Sequence, residues 1–210
     1  MTLLCLEVIL INKKMKKYFS LLLFLFVSFA SFSQTLREKL VIKTPIYTVQ
    51  YNEKLEQPTT ITYFVQCPEG TASRKGMDFY TNDSVKTSDN KDYENNVWDK
   101  GHLAPAADFN CDTETLYKTF SYLNCVLQHQ DLNRQTWRFL ESFERELSKK
   151  GKVKVQIDMI FSKNSLKLPT GATVPDSFKK TIWVDGKLYG VYVFKNEKPL
   201  HKEYEKYRVQ

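Results

Sequence analysis

His102 is one of three histidines, and it ends the run Trp98-Asp99-Lys100-Gly101-His102 before Leu103-Ala104-Pro105-Ala106-Ala107-Asp108. The glycine before it and the small, Pro-broken run after it punctuate a strand entering a loop, not a helix. A second stretch answers it, with Asn124, Gln128, Asn133, Trp137 and Glu141. Asn133, Trp137 and Glu141 are spaced i, i+4, i+8, which predicts one shared helix face. These residue types suit one chemistry. A neutral imidazole takes a proton from water near pH 7. An amide oxygen and a carboxylate are hard donors suited to Mg²⁺, which keeps most of its waters and accepts few protein ligands. Base, divalent cation and basic surroundings together could hydrolyse a phosphodiester. Each residue alone has an ordinary use as well: a Gly-His pair is usually structural, and Asn133 could simply cap its helix.

The run Asp99-Lys100-Gly101-His102-Leu103-Ala104-Pro105-Ala106-Ala107-Asp108 resembles the Asp-Arg-Gly-His motif of the DNA/RNA non-specific endonucleases, the endonuclease G-like group with a ββα-metal (His-Me) finger. Asn124, Gln128, Asn133, Trp137 and Glu141 resemble that family's downstream block. Arg74, Phe79, Asp92 and Tyr93 look like its upstream positions, and Val174-Pro175-Asp176-Ser177-Phe178-Lys179-Lys180 looks like its Val-Pro-Asp segment. The likeness spans roughly 55–196. It implies His102 as general base and Asn133 as the one protein ligand of Mg²⁺ (or Mn²⁺). It implies Glu141 acting on that cation through water, Arg74 and Lys100 holding the scissile phosphate, and Asn124 positioning the loop or polarising His102. It also implies DNA and RNA as partners and 5′-phosphate products. Two positions depart from the pattern. Lys100 stands in place of the family's Arg and keeps the charge without the planar fork. Leu127 stands in place of the usual Pro before Gln128.

The elements that must position these residues are legible in outline. Leu40 to Tyr51 is β-rich, but Pro45 restricts it to an edge. Thr59 to Cys67 is a strand by its β-branched and aromatic content. Asn82 to Asn96 reads as loop. Asp112 caps a helix over 113–120 or beyond. A long helix over Asn133–Lys149 ends at Lys149-Lys150-Gly151. Lys152 to Ile160 alternates as a half-buried strand. Lys180–Val184 and Lys187–Phe194 flank an Asp185-Gly186 hairpin turn. Asp99 is expected to fix the strand end, and His129 and His201 to be structural. The class is α+β, with a central, mostly antiparallel sheet flanked by helices.

The 210 residues include 14 Phe, 12 Tyr and 3 Trp, ample for a sizeable core, and the formal charge is +7. Residues 1–33 read as a signal peptide. Lys13, Lys14, Lys16 and Lys17 precede the apolar run Phe19–Ala30, and Ser31-Phe32-Ser33 offers small residues before Gln34. Met15 is the better natural start, which would make 1–14 a start-site artefact. The remaining 34–210 form a single domain. Its loss of four lysines and one glutamate leaves +4, a charge that permits a nucleic-acid partner without demanding one. The expected place is secreted or periplasmic, with no stable membrane association once the signal is cleaved. Of Cys67, Cys111 and Cys125, either the last two pair and leave Cys67 free, or all three are buried thiols. Two rivals stand beside the endonuclease, the first favoured by Lys100 and opposed by intact His102, Asn133 and Glu141. One is a nuclease-fold protein that has lost turnover and binds nucleic acid or another partner. The other is a phosphodiesterase for small nucleotides.

Overall fold

The computed structural model describes residues 35–210 apart from Pro68 and Asp83, so the signal peptide expected at 1–33 lies outside the described residues. Eight strands form in chain order: β1 (Leu40–Lys43), β2 (Tyr47–Asn52), β3 (Gln57–Phe64), β4 (Trp98–His102), β5 (Cys125–His129), β6 (Val153–Ile160), β7 (Ser177–Val184) and β8 (Lys187–Lys195). Six of them make one sheet in the order β1-β2-β3-β6-β7-β8, while β4 and β5 make a separate ribbon. Every pair is antiparallel. The α+β reading therefore holds, with the antiparallel sheet as its body.

Local chemistry explains most of this. In β6 the alternation puts Val153, Val155, Ile157 and Met159 inside and the residues between them outward. Between β7 and β8, Asp185 and Gly186 both take positive φ, 49° and 78°, which a two-residue hairpin needs and which Gly adopts freely. Asp112 caps α1 (Thr113–Lys118) by accepting the Thr115 N–H at 2.8 Å. That helix stops short of the expected 120. The β-rich stretch 40–51 is two strands rather than one. Pro45 sits in the turn between them, where Thr44 Oγ1 accepts the Tyr47 N–H at 3.0 Å. The 82–96 loop contains one 3-10 turn, Asn90–Tyr93, capped by Asp89.

The long helix differs most from expectation. It begins directly after β5 with α2 (Gln130–Leu132), passes through a π-helical turn over Asn133–Trp137, and continues as α3 (Arg138–Ser148). Its inner side packs Leu132, Trp137 and Leu140 onto the sheet, with Trp137 wedged between Phe178 and Phe194. Beneath it lies a buried ion pair. Lys180 Nζ donates to Glu144 Oε1 at 2.8 Å with neither side chain exposed, and Tyr63 OH donates to Glu144 Oε2 at 3.0 Å.

Neither arrangement expected of the cysteines, a Cys111–Cys125 pair or three buried thiols, is the one formed. Cys67 and Cys111 are bridged, with Cα atoms 5.4 Å apart, and Cys125 is the buried free thiol. Register decides this. Cys125 opens β5 opposite His102 and points into the core, where its Sγ donates to Tyr93 OH at 3.3 Å. Cys111 lies exposed at the end of a loop that runs beside Cys67, because Gln66 and Cys67 N–H both donate to Asp108 O. The bridge closes a loop of 44 residues, so reducing it should cost about 2–4 kcal/mol of unfolding free energy. Urea titrations with and without reductant measure this. Coincident midpoints would mean that the crosslink adds nothing.

Candidate active site

The β4–β5 ribbon followed by the helical run puts His102 and Asn133 on one finger, His102 at the end of β4 and Asn133 in the first turns after β5. Gly101 is required there, because a Cβ at that position would lie 2.8 Å from Gln128 Cβ and 3.2 Å from Val126 O. The finger is tied to the main sheet by two buried amides. Asn196 Nδ2 donates to Leu127 O and Pro175 O, both at 2.9 Å, and Gln57 Oε1 accepts the Leu127 N–H at 3.1 Å. The latter bond needs a backbone N–H, so Leu127 serves where a Pro could not.

His102, Asn133, Glu141, Arg74 and Lys100 all line one cleft of about 760 Å³. The His102 ring is held between Phe79 and Phe120, with centroids 4.6 Å and 4.9 Å away. Its Nε2 is enclosed and has no hydrogen-bond partner. Burial, and then the nearby Arg74 charge, lower its pKa to about 3, so the imidazole is neutral at pH 7. The ring is thus a free base facing a polar cleft.

Asp99 does more than end a strand. Its Oδ2 accepts Asn133 Nδ2 at 2.9 Å and Arg134 Nε at 2.9 Å, and its Oδ1 accepts a second Arg134 nitrogen at 2.6 Å. Binding the amide through nitrogen turns the Asn133 oxygen away from Asp99 and leaves it as the donor for a cation. Glu141 is half-buried. Its pKa is pushed up to about 7 by burial and by Glu144, against the pull of Lys180 and Arg145. Among the described residues no cluster of three His, Cys, Asp or Glu side chains could hold a metal. One amide oxygen and one nearby carboxylate fit a hard cation that keeps its own waters, and they do not fit a zinc site.

Asn124 and Lys100 are each held by close partners. Asn124 is fully buried outside the cleft. Its Oδ1 accepts the Ala104 N–H at 2.7 Å, and its Nδ2 donates to Ala104 O and Thr119 O at 2.9 Å. It clamps the loop leaving His102 and makes no hydrogen bond to the imidazole. Lys100 is in the cleft, but its ammonium binds Asp78 Oδ1 at 2.9 Å and also Asn90 Oδ1, between the rings of Phe79 and Tyr122. Trp137, expected to share a face with Asn133 and Glu141, is wholly in the core and does not line the cleft with them. Three cleft cations were not anticipated: Arg134, Arg138 and Arg145. The available signal was the recurrence of arginine along the predicted helix, since regular spacing alone sets Arg138 away from Asn133.

The chain matches the model of the DNA/RNA non-specific endonuclease family over residues 30–210. It belongs to that family. Similar curated proteins of the same kind include the mitochondrial nuclease EXOG of Danio rerio, 37% identical over 84 residues, which are 39% of this chain and 24% of that protein. Human mitochondrial endonuclease G is 34% identical over 83 residues, 38% of this chain and 28% of that protein. A nuclease of Nostoc is 43% identical over 60 residues, 29% of this chain and 22% of that protein. The chain thus aligns with about a quarter of the length of these relatives. A crystal structure of an EndoG/EndoGI complex is similar in fold, with a TM-score of 0.73 at 23% identity over 83% of this chain and 82% of that one. This endonuclease-family member therefore carries the ββα-metal finger in an antiparallel α+β frame.

Proposed function

We propose that the protein is a metal-dependent endonuclease that hydrolyses phosphodiester bonds of DNA and RNA with little sequence preference. The observation that carries this is the neutral His102 in the same cleft as Asn133, whose amide is held by Asp99 with its oxygen free. Nε2 of His102 is walled off, which leaves Nδ1 to take a proton from water. The water oxygen then attacks phosphorus in line and the 3′-oxygen leaves, giving a 5′-phosphate. Arg74 has no carboxylate partner among the described residues, so it can meet the charge developing on the phosphate. Asn133 directly, and Glu141 through water, would hold Mg²⁺ or Mn²⁺, which when bound supplies stabilisation of the pentacovalent phosphate and the leaving oxygen. Contacts made chiefly to phosphate explain weak sequence preference.

A secreted or periplasmic setting is part of this reading. The signal-like residues 13–33 and the Cys67–Cys111 bridge support it, since disulfides persist in oxidising compartments. One observation favours the rival of a nuclease fold without turnover: the Lys100 ammonium is already committed to Asp78 and Asn90. Plasmid digestion by protein starting at Gln34 separates the two. Cleavage should require Mg²⁺ or Mn²⁺ and stop in EDTA. Asn133→Ala should weaken both turnover and the apparent metal affinity. Full activity in EDTA sinks the one-cation site, and no cleavage with either ion leaves the binding module.

A further inference from the structure

The π turn has a geometric effect on the cleft. At about 100° per residue, an unbroken α-helix would set Arg138 roughly 140° round from Asn133 and bring Trp137 nearly above it. The π turn over Asn133–Trp137 absorbs one extra residue. Everything after it is then rotated back by roughly 100°, which leaves Arg138, Glu141 and Arg145 within roughly 40° of Asn133. The lining of the cleft agrees: Asn133, Arg138, Glu141 and Arg145 face it, while Trp137 is in the core.

The charges of these residues are not equally available. Lys100 is paired with Asp78, Arg134 with Asp99 and Arg145 with Asp108. Among the described residues, Arg74 and Arg138 are the cleft cations with no carboxylate within 4.0 Å. Arg74 acts on His102 from the loop side. Arg138 stands exposed on the helix side, its guanidinium braced over the Phe139 ring 5.5 Å from the centroid. An unpaired, braced guanidinium about one helical turn beyond Asn133 suits an anion one step away from the reacting one.

We infer that Arg138 is a binding residue for the phosphate adjacent to the scissile phosphate, so that the preferred substrate is a strand carrying at least two phosphodiesters. The inference rests on the endonuclease reading for which phosphate is cut, though the subsite itself is a matter of binding. It also accounts for the π turn, which delivers Arg138 to the cleft and Trp137 to the core in one step.

The test has a binding arm and a rate arm. In the binding arm, a His102→Ala background prevents cleavage while oligothymidylate affinity is titrated against salt. Adding Arg138→Ala should weaken affinity about tenfold and lower the slope of log affinity against log salt by about 0.7, the release from one single-strand phosphate contact. Arg138→Lys should retain most of that slope. In the rate arm, kcat/KM on oligothymidylate is divided by kcat/KM on a dinucleotide with one phosphodiester. Arg138→Ala should lower that ratio about tenfold. An unchanged slope in the first arm, or equal losses on both substrates in the second, overturns the subsite. If the parent cuts neither substrate with Mg²⁺, the endonuclease reading fails, and the salt slope alone still decides Arg138.

Discussion

Replacing His102 by Ala is expected to lower plasmid cleavage by at least about 100-fold, the usual scale of a lost general base. The ring is clasped by Phe79 and Phe120, and its charge state is set by burial and Arg74. A histidine present only for packing would show up as lost stability, so the variant's unfolding midpoint must be measured beside its rate. A near-normal rate in a clean, folded preparation removes His102 from the chemistry. The pH dependence has a definite sign. The folded-state pKa of about 3 lies below the ordinary 6.5, so the free base is present throughout pH 5 to 7. Loss of activity in that interval cannot come from protonating the imidazole, and Glu141, whose carboxyl burial pushes up to about 7, is the group to examine. For stability, unfolding lets His102 take up a proton only below about 6.5. The native state therefore loses stability as pH falls from there towards 3, and His102→Ala should soften that acid sensitivity.

Lys180→Ala is expected to destabilise the fold by about 3–5 kcal/mol, because it strands Glu144 without its cation in the core. Both side chains are wholly buried, 2.8 Å apart, and Lys180 Nζ also sits 4.0 Å over the Trp137 ring. The neighbourhood is already rich in carboxylates. Asp108 is fully buried, with its pKa driven well above the usual range by burial, Glu144 and Glu141 against the pull of Arg145. Removing the lysine also takes away the charge that most lowers the Glu141 pKa, so Glu141 should ionise at a higher pH than about 7. Urea denaturation gives the first number and a pH–rate profile the second. The double variant Lys180→Met with Glu144→Gln should recover much of the lost stability, since two uncharged replacements leave no charge stranded. A loss under about 0.5 kcal/mol for Lys180→Ala, the scale of an ordinary surface change, would mean that water reaches Glu144.

Much of the fold follows from local rules and was legible without coordinates. Alternation in β6, the Asp185-Gly186 turn and the Asp112 cap each involve neighbours within a few residues, where sterics and hydrogen bonding leave little choice. The identity of His102, Asn133, Glu141, Arg74 and Lys100 as cleft residues could be expected from motif resemblance, and the fold brings them to one cleft. What remained hidden depends on distance in the sequence or on a single residue of register. The Cys67–Cys111 bridge joins segments 44 residues apart that meet where Asp108 O collects two backbone donors and Asn110 pairs with Gly70 and Ala72. Asp99 orients Asn133 across 34 residues, and of the two roles open to Asn124 the fold selects the loop clamp by placing Ala104 and Thr119 around its amide. Helical periodicity assumes a constant turn, so it set Trp137 beside Asn133. The extra residue in the π turn sends Trp137 into the core and Arg138 into the cleft. No count of spacings reveals that residue, because it is the packing of Trp137 against Phe178 and Phe194 that makes the wider turn favourable.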